Sequence, residues 1–317
     1  MNKGFLKLIK NIAILLTILI ITDMTVGWLG IKYASWLNQI PRDGEAALIN
    51  YDLNAAVPDV AIVGNSFASC HYVPSIIHDS VEAYINKDFS VFNMGMSKQR
   101  LSYNYYALKC LIDRKPPKIL ISNVWATYLS VNDETKLFAE FRPYIKMNHN
   151  VREMLEKHNE YSFLMKSNMF CFNTELVKLL MSPLKPKHAD GFIISRAKLK
   201  SVENKGVSKD PSALSPLSVA EFDAMIDLAK KNDILMVVVI SPTLSSSHSS
   251  DTNSLSYRYM KEKCQTENVL FLDYSNNEKY YKAEYFRDIA HMNYYGAEQF
   301  SKDLMSDLKE SIVEKYK

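Results

Sequence analysis

The stretch Asp59-Val-Ala-Ile-Val-Gly-Asn-Ser66 decides how the rest of the chain is read. Val60 to Val63 are four consecutive apolar residues bounded by Asp59 and Gly64, and such a run reads as a strand buried on both faces of a parallel sheet. Gly64 lets the backbone turn tightly, and the residues after it have the composition of a helix N-terminus. Ser66 is therefore expected at the carboxyl end of a strand and the start of a helix, where open α/β sheets bind their ligands. The stretch alone leaves two roles open: a nucleophile surrounded by backbone N–H groups, or the cap of the helix, for which serine is a preferred residue.

Near the other end lies Tyr285-Phe-Arg-Asp288-Ile-Ala-His291-Met-Asn-Tyr-Tyr-Gly296-Ala-Glu-Gln-Phe300. A carboxylate three residues before a histidine lies on the same side of a turn. It can hold the imidazole through one ring nitrogen and leave the other free as a base. Asp288 and His291 can thus serve a serine, although a solvated polar turn has the same spacing.

Between these ends, apolar runs alternate with amphipathic stretches. The expected order after Ser66 is a first helix over 67–86, a strand over Phe89 to Asn93, a helix over Leu101 to Asp113 and a strand over Ile119 to Ser122. A helix over Val219 to Lys231, strands over Ile234 to Ile240 and Val269 to Leu272, and a last helix over Tyr294 to Lys315 follow. Five strands with intervening helices predict a flavodoxin-like three-layer α/β/α sandwich on a five-stranded parallel sheet. Residues 124–215 interrupt the series, far beyond the usual few-residue connection. This insertion carries helix-like segments at 151–158 and 161–180, then the basic, proline-punctuated Ser182 to His188. It is placed to cover a site, or else serves as a surface elaboration or subunit contact.

Residues 1–30 read as a membrane anchor: Lys3, Lys7 and Lys10 precede the apolar run Ile12 to Ile21, and Val26, Trp28 and Leu29 extend it past Asp23. A cleaved signal peptide is the rival reading, but no clear small-x-small cleavage site follows. By the positive-inside rule the N-terminus stays in the cytoplasm and the rest is extracytoplasmic or periplasmic. Residues 31–58 read as a juxtamembrane linker, and 59–317 as the α/β domain.

The net charge of +3 and the absence of a basic stripe argue against nucleic acid. No glycine-rich phosphate loop is present, and the seven histidines and four cysteines show no metal-ligand spacing, so no cofactor or metal is expected. Cys70, Cys110, Cys171 and Cys264 are dispersed and leave disulfides open. His71 reads as a helix-face histidine that can also border the pocket. His248 and Asp251 form a second His-x-x-Asp pair in a polar serine-rich loop.

The combination is more specific than its parts. Strand-Gly64-Asn65-Ser66, a strand ending in Asn93-Met-Gly95, a third ending in Asn123, and Asp288-x-x-His291-x-Asn-x-x-Gly-Ala resemble the SGNH (GDSL-like) hydrolase superfamily in order and spacing. The resemblance implies the same sandwich fold, with Ser66 as nucleophile, His291 as base and Asp288 orienting it. It further implies an oxyanion hole made of the Ser66 N–H, the Gly95 N–H and the Asn123 side chain. Two blocks depart from the family pattern: Asn65 stands where aspartate is usual, and Ser122-Asn123-Val-Trp lacks the glycine and the aspartate of the third block. With an N-terminal anchor, the chain is similar to the exported acyltransferase branch. That branch implies an acylated donor, a polysaccharide acceptor in the cell envelope and a membrane-bound O-acyltransferase partner. A carbohydrate esterase with the same triad and a non-catalytic glycan-binding protein are the alternatives.

Overall fold

The computed structural model describes residues 3–131, 139–187, 190–200, 213–244 and 252–317. Helix α1 (Lys3–Leu37) and helix α2 (Glu45–Asn54) lead to strand β1 (Val60–Gly64), followed by helices α3 (Ser66–His71) and α4 (Pro74–Ile85), strand β2 (Val91–Gly95), helix α5 (Leu101–Arg114) and strand β3 (Ile119–Asn123). Helices α6 (His149–Lys157) and α7 (Asn168–Met181) belong to the insertion. Helix α8 (Pro216–Lys231), strand β4 (Leu235–Ile240), helix α9 (Leu255–Thr266), strand β5 (Leu270–Asp273) and helix α10 (Tyr294–Tyr316) complete the order.

The five strands are all parallel in the order β2-β1-β3-β4-β5, with the switch in chain direction beside β1. Alternate strand residues face opposite sides. Val60, Ile62, Ile119, Ile121, Val237 and Val239 pack on Ile77, Val81 and Ile85 of α4 and Phe300, Leu304, Leu308 and Ile312 of α10. On the other face Ser122 meets Asn104 of α5 and Met225 of α8. Every residue of β1 and β3 is buried, which is why both segments are unbroken apolar runs rather than alternating ones.

The expected single helix over 67–86 is two helices. Tyr72 and Val73 are extended, and Pro74 restarts the chain as the first residue of α4. Proline disfavours the helical region for the residue before it and has no N–H to donate, so it suits a helix start and breaks an interior. The break turns Tyr72 inward, where it is fully buried.

By its internal contacts the chain divides into two compact units, Met1–Ala55 with Phe138–Lys187, and Ala56–Leu137 with His188–Lys317. The second unit holds the sheet. The first joins the N-terminal helices to the middle of the insertion, around Leu37, Ala46, Ala47, Phe172 and Leu179. The stretch read as a juxtamembrane linker is largely helical there: α1 runs on to Leu37, and α2 follows it.

Candidate active site

Three adjacent strand ends form the floor of the site. In register, Gly64 of β1 stands beside Gly95 of β2, and the pairing of Val63 with Ser122 puts Asn123 on its other side. Gly64 has φ +155°, and a Cβ there would lie 2.8 Å from the Asn123 Cβ, so both the turn and the tight packing require glycine. The turn delivers Asn65, whose Oδ1 accepts the Phe67 N–H at 2.9 Å and caps α3. The cap is thus Asn65. Ser66 is the first helical residue, and its hydroxyl is left for another partner.

That partner is His291. Its Nε2 lies 2.8 Å from Ser66 Oγ, and its Nδ1 lies 3.0 Å from both carboxylate oxygens of Asp288. With Nδ1–H donated to the carboxylate, Nε2 presents a lone pair to the serine hydroxyl. Asp288 Oδ1 also accepts the N–H groups of Ala290 and His291 at 2.9 and 2.8 Å, closing the turn that presents the ring. Burial pushes the Asp288 carboxyl up, but those two N–H groups and the imidazole outweigh it and hold it below its ordinary value. Asn293, two residues on, caps α10 by accepting the Tyr295 and Gly296 N–H groups. The Asn and Gly of the motif therefore hold the helix that follows. The Phe67 ring stacks on Trp125 at 5.2 Å and leans on the His291 ring at 5.4 Å, giving the triad one apolar wall.

The expected oxyanion donors divide. Gly95 does not fit the role: its N–H already donates to Asn93 Oδ1 at 2.9 Å within a buried environment. Its lack of a side chain serves packing, because a Cβ there would lie 2.2 Å from the Ser69 nitrogen of α3. Asn123 fits. Its Oδ1 accepts the Tyr72 hydroxyl at 2.7 Å, which leaves the NH2 end of the amide to donate. The Ser66 N–H, in the first turn of α3, has no intrahelical acceptor by position.

Ser66 and His291 are braced by groups the sequence reading did not assemble. His71, fully buried, accepts the Met292 N–H on Nε2 at 3.0 Å and meets Ser241 Oγ through Nδ1 at 3.1 Å. Because Nε2 accepts, the proton sits on Nδ1 and is donated to Ser241. The Ser241 hydroxyl meets Tyr72, whose own O–H goes to Asn123. Burial drives the His71 pKa well below its ordinary value, and the neighbouring His291 and Arg287 add to the shift, so the ring is neutral. One buried polar chain thus links Met292, the residue after His291, to the Asn123 amide. Its four side chains come from α3 and its end, β3 and the loop after β4, so no sequence spacing reveals it.

Part of the insertion reaches the same elements. Asp190 O accepts the Asn93 N–H at 2.8 Å on the edge strand β2, Ser69 O accepts the Ile193 N–H, and Ser195 O accepts the Tyr294 N–H beside the histidine turn. Residues 190–200 thereby strap β2, α3 and the start of α10. His248 and Asp251 lie outside the described residues. The four cysteines are buried and form no disulfide with one another, and among the described residues no cluster of three or more metal-ligating side chains occurs.

No family model and no curated protein matches the chain. Solved structures show a likeness. A lipase/acylhydrolase from Enterococcus faecalis is 13% identical over 80% of this chain and 96% of that one, with a TM-score of 0.38. A catalytic mutant of an acetylxylan esterase from Geobacillus stearothermophilus is 10% identical over 78% and 93%, with a TM-score of 0.39.

Proposed function

We propose that the protein is a serine acyl-transfer enzyme that moves an acyl group, most simply acetyl, onto a hydroxyl of a cell-envelope or exported polysaccharide. The observation that carries the serine chemistry is the 2.8 Å contact from Ser66 Oγ to His291 Nε2, with Nδ1 held by Asp288. His291 takes the hydroxyl proton as Ser66 Oγ bonds to the acyl carbonyl carbon. The oxyanion so formed is met by the Ser66 N–H and the Asn123 amide. Collapse expels the donor's oxygen, which takes the proton from His291 and leaves acyl-Ser66. An acceptor hydroxyl then gives its proton to His291, attacks the same carbon and releases serine.

Transfer to a glycan is supported by α1. It is long and apolar enough to cross a membrane, and tethering near a membrane-delivered donor raises the effective concentration of acyl group. The three lysines before its apolar run favour a cytoplasmic N-terminus and an extracytoplasmic site, with a membrane-bound O-acyltransferase as the natural donor partner. Hydrolysis is the second reading. The Asp288 side chain is 48% exposed and His291 23%, so water has access to the acyl-enzyme.

The test is intact mass of the detergent-solubilised chain after a serine-directed fluorophosphonate or an activated acetyl ester. An adduct on the native protein that is absent from Ser66→Ala supports an activated nucleophile. A folded protein that forms no adduct with either reagent overturns the enzyme reading in favour of glycan binding. Turnover of 4-nitrophenyl acetate with and without a sugar acceptor then separates transfer from hydrolysis: acylated sugar supports transfer, and free acetate alone supports the esterase.

A further inference from the structure

The backbone of Asn123 is fixed on both sides. Its carbonyl accepts the Asn104 side-chain NH2 at 3.0 Å, and the next N–H, of Val124, donates to Val239 O at 2.9 Å. The side-chain amide is less constrained, because its two ends differ little in shape and χ2 of asparagine is a broad, roughly two-fold torsion. Hydrogen bonding therefore decides which end is turned toward an oxyanion. Stabilisation needs the NH2 end, and an Oδ1 turned to that side would repel the negative charge.

A lone tyrosine hydroxyl settles nothing, since it can give a proton to Oδ1 or accept one from the NH2. The choice is made further up the chain. The Met292 N–H points at His71 Nε2 from 3.0 Å, and a backbone N–H can only donate, so Nε2 carries the lone pair and Nδ1 the proton. Nδ1–H is donated to Ser241 Oγ at 3.1 Å. The Ser241 hydroxyl then donates to the Tyr72 oxygen, and the Tyr72 hydroxyl donates to Asn123 Oδ1 at 2.7 Å. Run in reverse, the chain would put a proton on Nε2, facing the Met292 N–H. Two buried donors left facing each other would each lose a partner, which is costly. Four donors thus point one way, and each polarises the next.

We propose that His71, Ser241 and Tyr72 are positioning residues for acyl transfer: through their one-way chain, the backbone N–H that follows the base fixes which end of the Asn123 amide meets the oxyanion. The proposal rests on the reading of Ser66 as nucleophile and Asn123 as oxyanion donor. The chain is held in place by its surroundings. The Tyr72 ring lies edge-on to Phe300 with centroids 5.1 Å apart, and its carbonyl accepts the Asn93 NH2 at 3.1 Å. His71, Tyr72, Asn123 and Ser241 are each at most 1% exposed, so water offers no substitute partner along the way. The histidine turn and the oxyanion hole are thereby set together, because the turn supplies the N–H at the head of the chain.

The experiment is a double-mutant cycle on the full, detergent-solubilised chain, read by turnover of 4-nitrophenyl acetate. Tyr72→Phe keeps the ring and its contact with Phe300 but removes the hydroxyl that donates to Oδ1. It should lower kcat about tenfold, the worth of one net hydrogen bond, with KM unchanged because the interaction acts in the transition state. In an Asn123→Ala background the same substitution should have no further effect on kcat, whereas a merely structural Tyr72 would lower it by the same factor in both. Ser241→Ala should act in the same direction with a smaller fall and be equally silent over Asn123→Ala. It carries the cycle if Tyr72→Phe lacks a cooperative urea transition. An unchanged kcat in these variants, or equal falls in both backgrounds, overturns the inference and leaves the acyl-transfer reading standing. A native chain that neither turns over the ester nor takes up a serine-directed fluorophosphonate overturns that reading and the inference with it.

Discussion

Asp288 and Asp23 are both carboxylates held by backbone N–H groups, but Asp288 takes them from residues two and three positions ahead, and Asp23 from residues 145 and 146 positions away. In the first case the local turn presents a histidine to a serine, and in the proposed reaction the carboxylate orients the base. In the second it joins two helices, so the carboxylate acts on assembly. The same chemistry of a satisfied anion thus shapes a local turn in one unit and joins two helices in the other. The reach of its hydrogen bonds decides which.

The sharpest way to break this contrast is at the serine that Asp288 serves through His291. Ser66→Ala should abolish adduct formation and lower acyl-ester turnover by on the order of 10^4-fold or more, with an unchanged urea midpoint. Asp288→Asn should lower kcat by roughly 10^2- to 10^4-fold, again with little loss of stability because the carboxylate is half exposed. A large fall in the midpoint would make Asp288 structural after all and dissolve the contrast. Asn123→Ala should cost kcat about 10^2- to 10^3-fold if its amide meets the oxyanion, and an unchanged kcat would remove it from the hole.

The opposite pattern is expected at the other carboxylate. Asp23→Leu leaves the Asn168 and Met169 N–H groups without their acceptor, a loss of about 1–3 kcal/mol. It should appear as faster hydrogen exchange across the first turn of α7, while Ser66 still takes up fluorophosphonate. Unchanged exchange there would show that Asp23 does not hold the two helices together.

The smallest effect concerns His71, whose folded-state pKa lies well below its ordinary value of 6.5. Above pH 6.5 the ring is neutral folded or unfolded, and it contributes no pH dependence. Below that value the unfolded chain binds a proton that the folded one refuses, so stability falls with falling pH, by up to about 1.4 kcal/mol per unit. His78, raised by Asp79 and Asp88, works in the opposite sense but is common to both proteins compared. His71→Gln should therefore lose less stability than the native protein between pH 7 and pH 5. Equal losses in urea denaturation would show that His71 is protonated in place.

The sequence by itself determined the parts whose causes are local. A buried apolar run, a glycine that can turn, and a carboxylate three residues before a histidine are read from spacing, because strand burial and turn hydrogen bonds act over two to four residues. The order of strands and the serine and histidine blocks were legible for that reason. Tertiary structure alone decided that Asn65 holds the cap and frees Ser66, and that the Gly95 N–H is already spent on Asn93. It alone assembled Tyr72, His71, Ser241 and Asn123 into one polar chain, and brought Asp23 to a helix in the insertion. These depend on which elements come to lie side by side, across separations of 51 to 221 residues in the polar chain. Such neighbours are chosen by the packing of helices on the sheet and on one another, and spacing along the chain carries no trace of them.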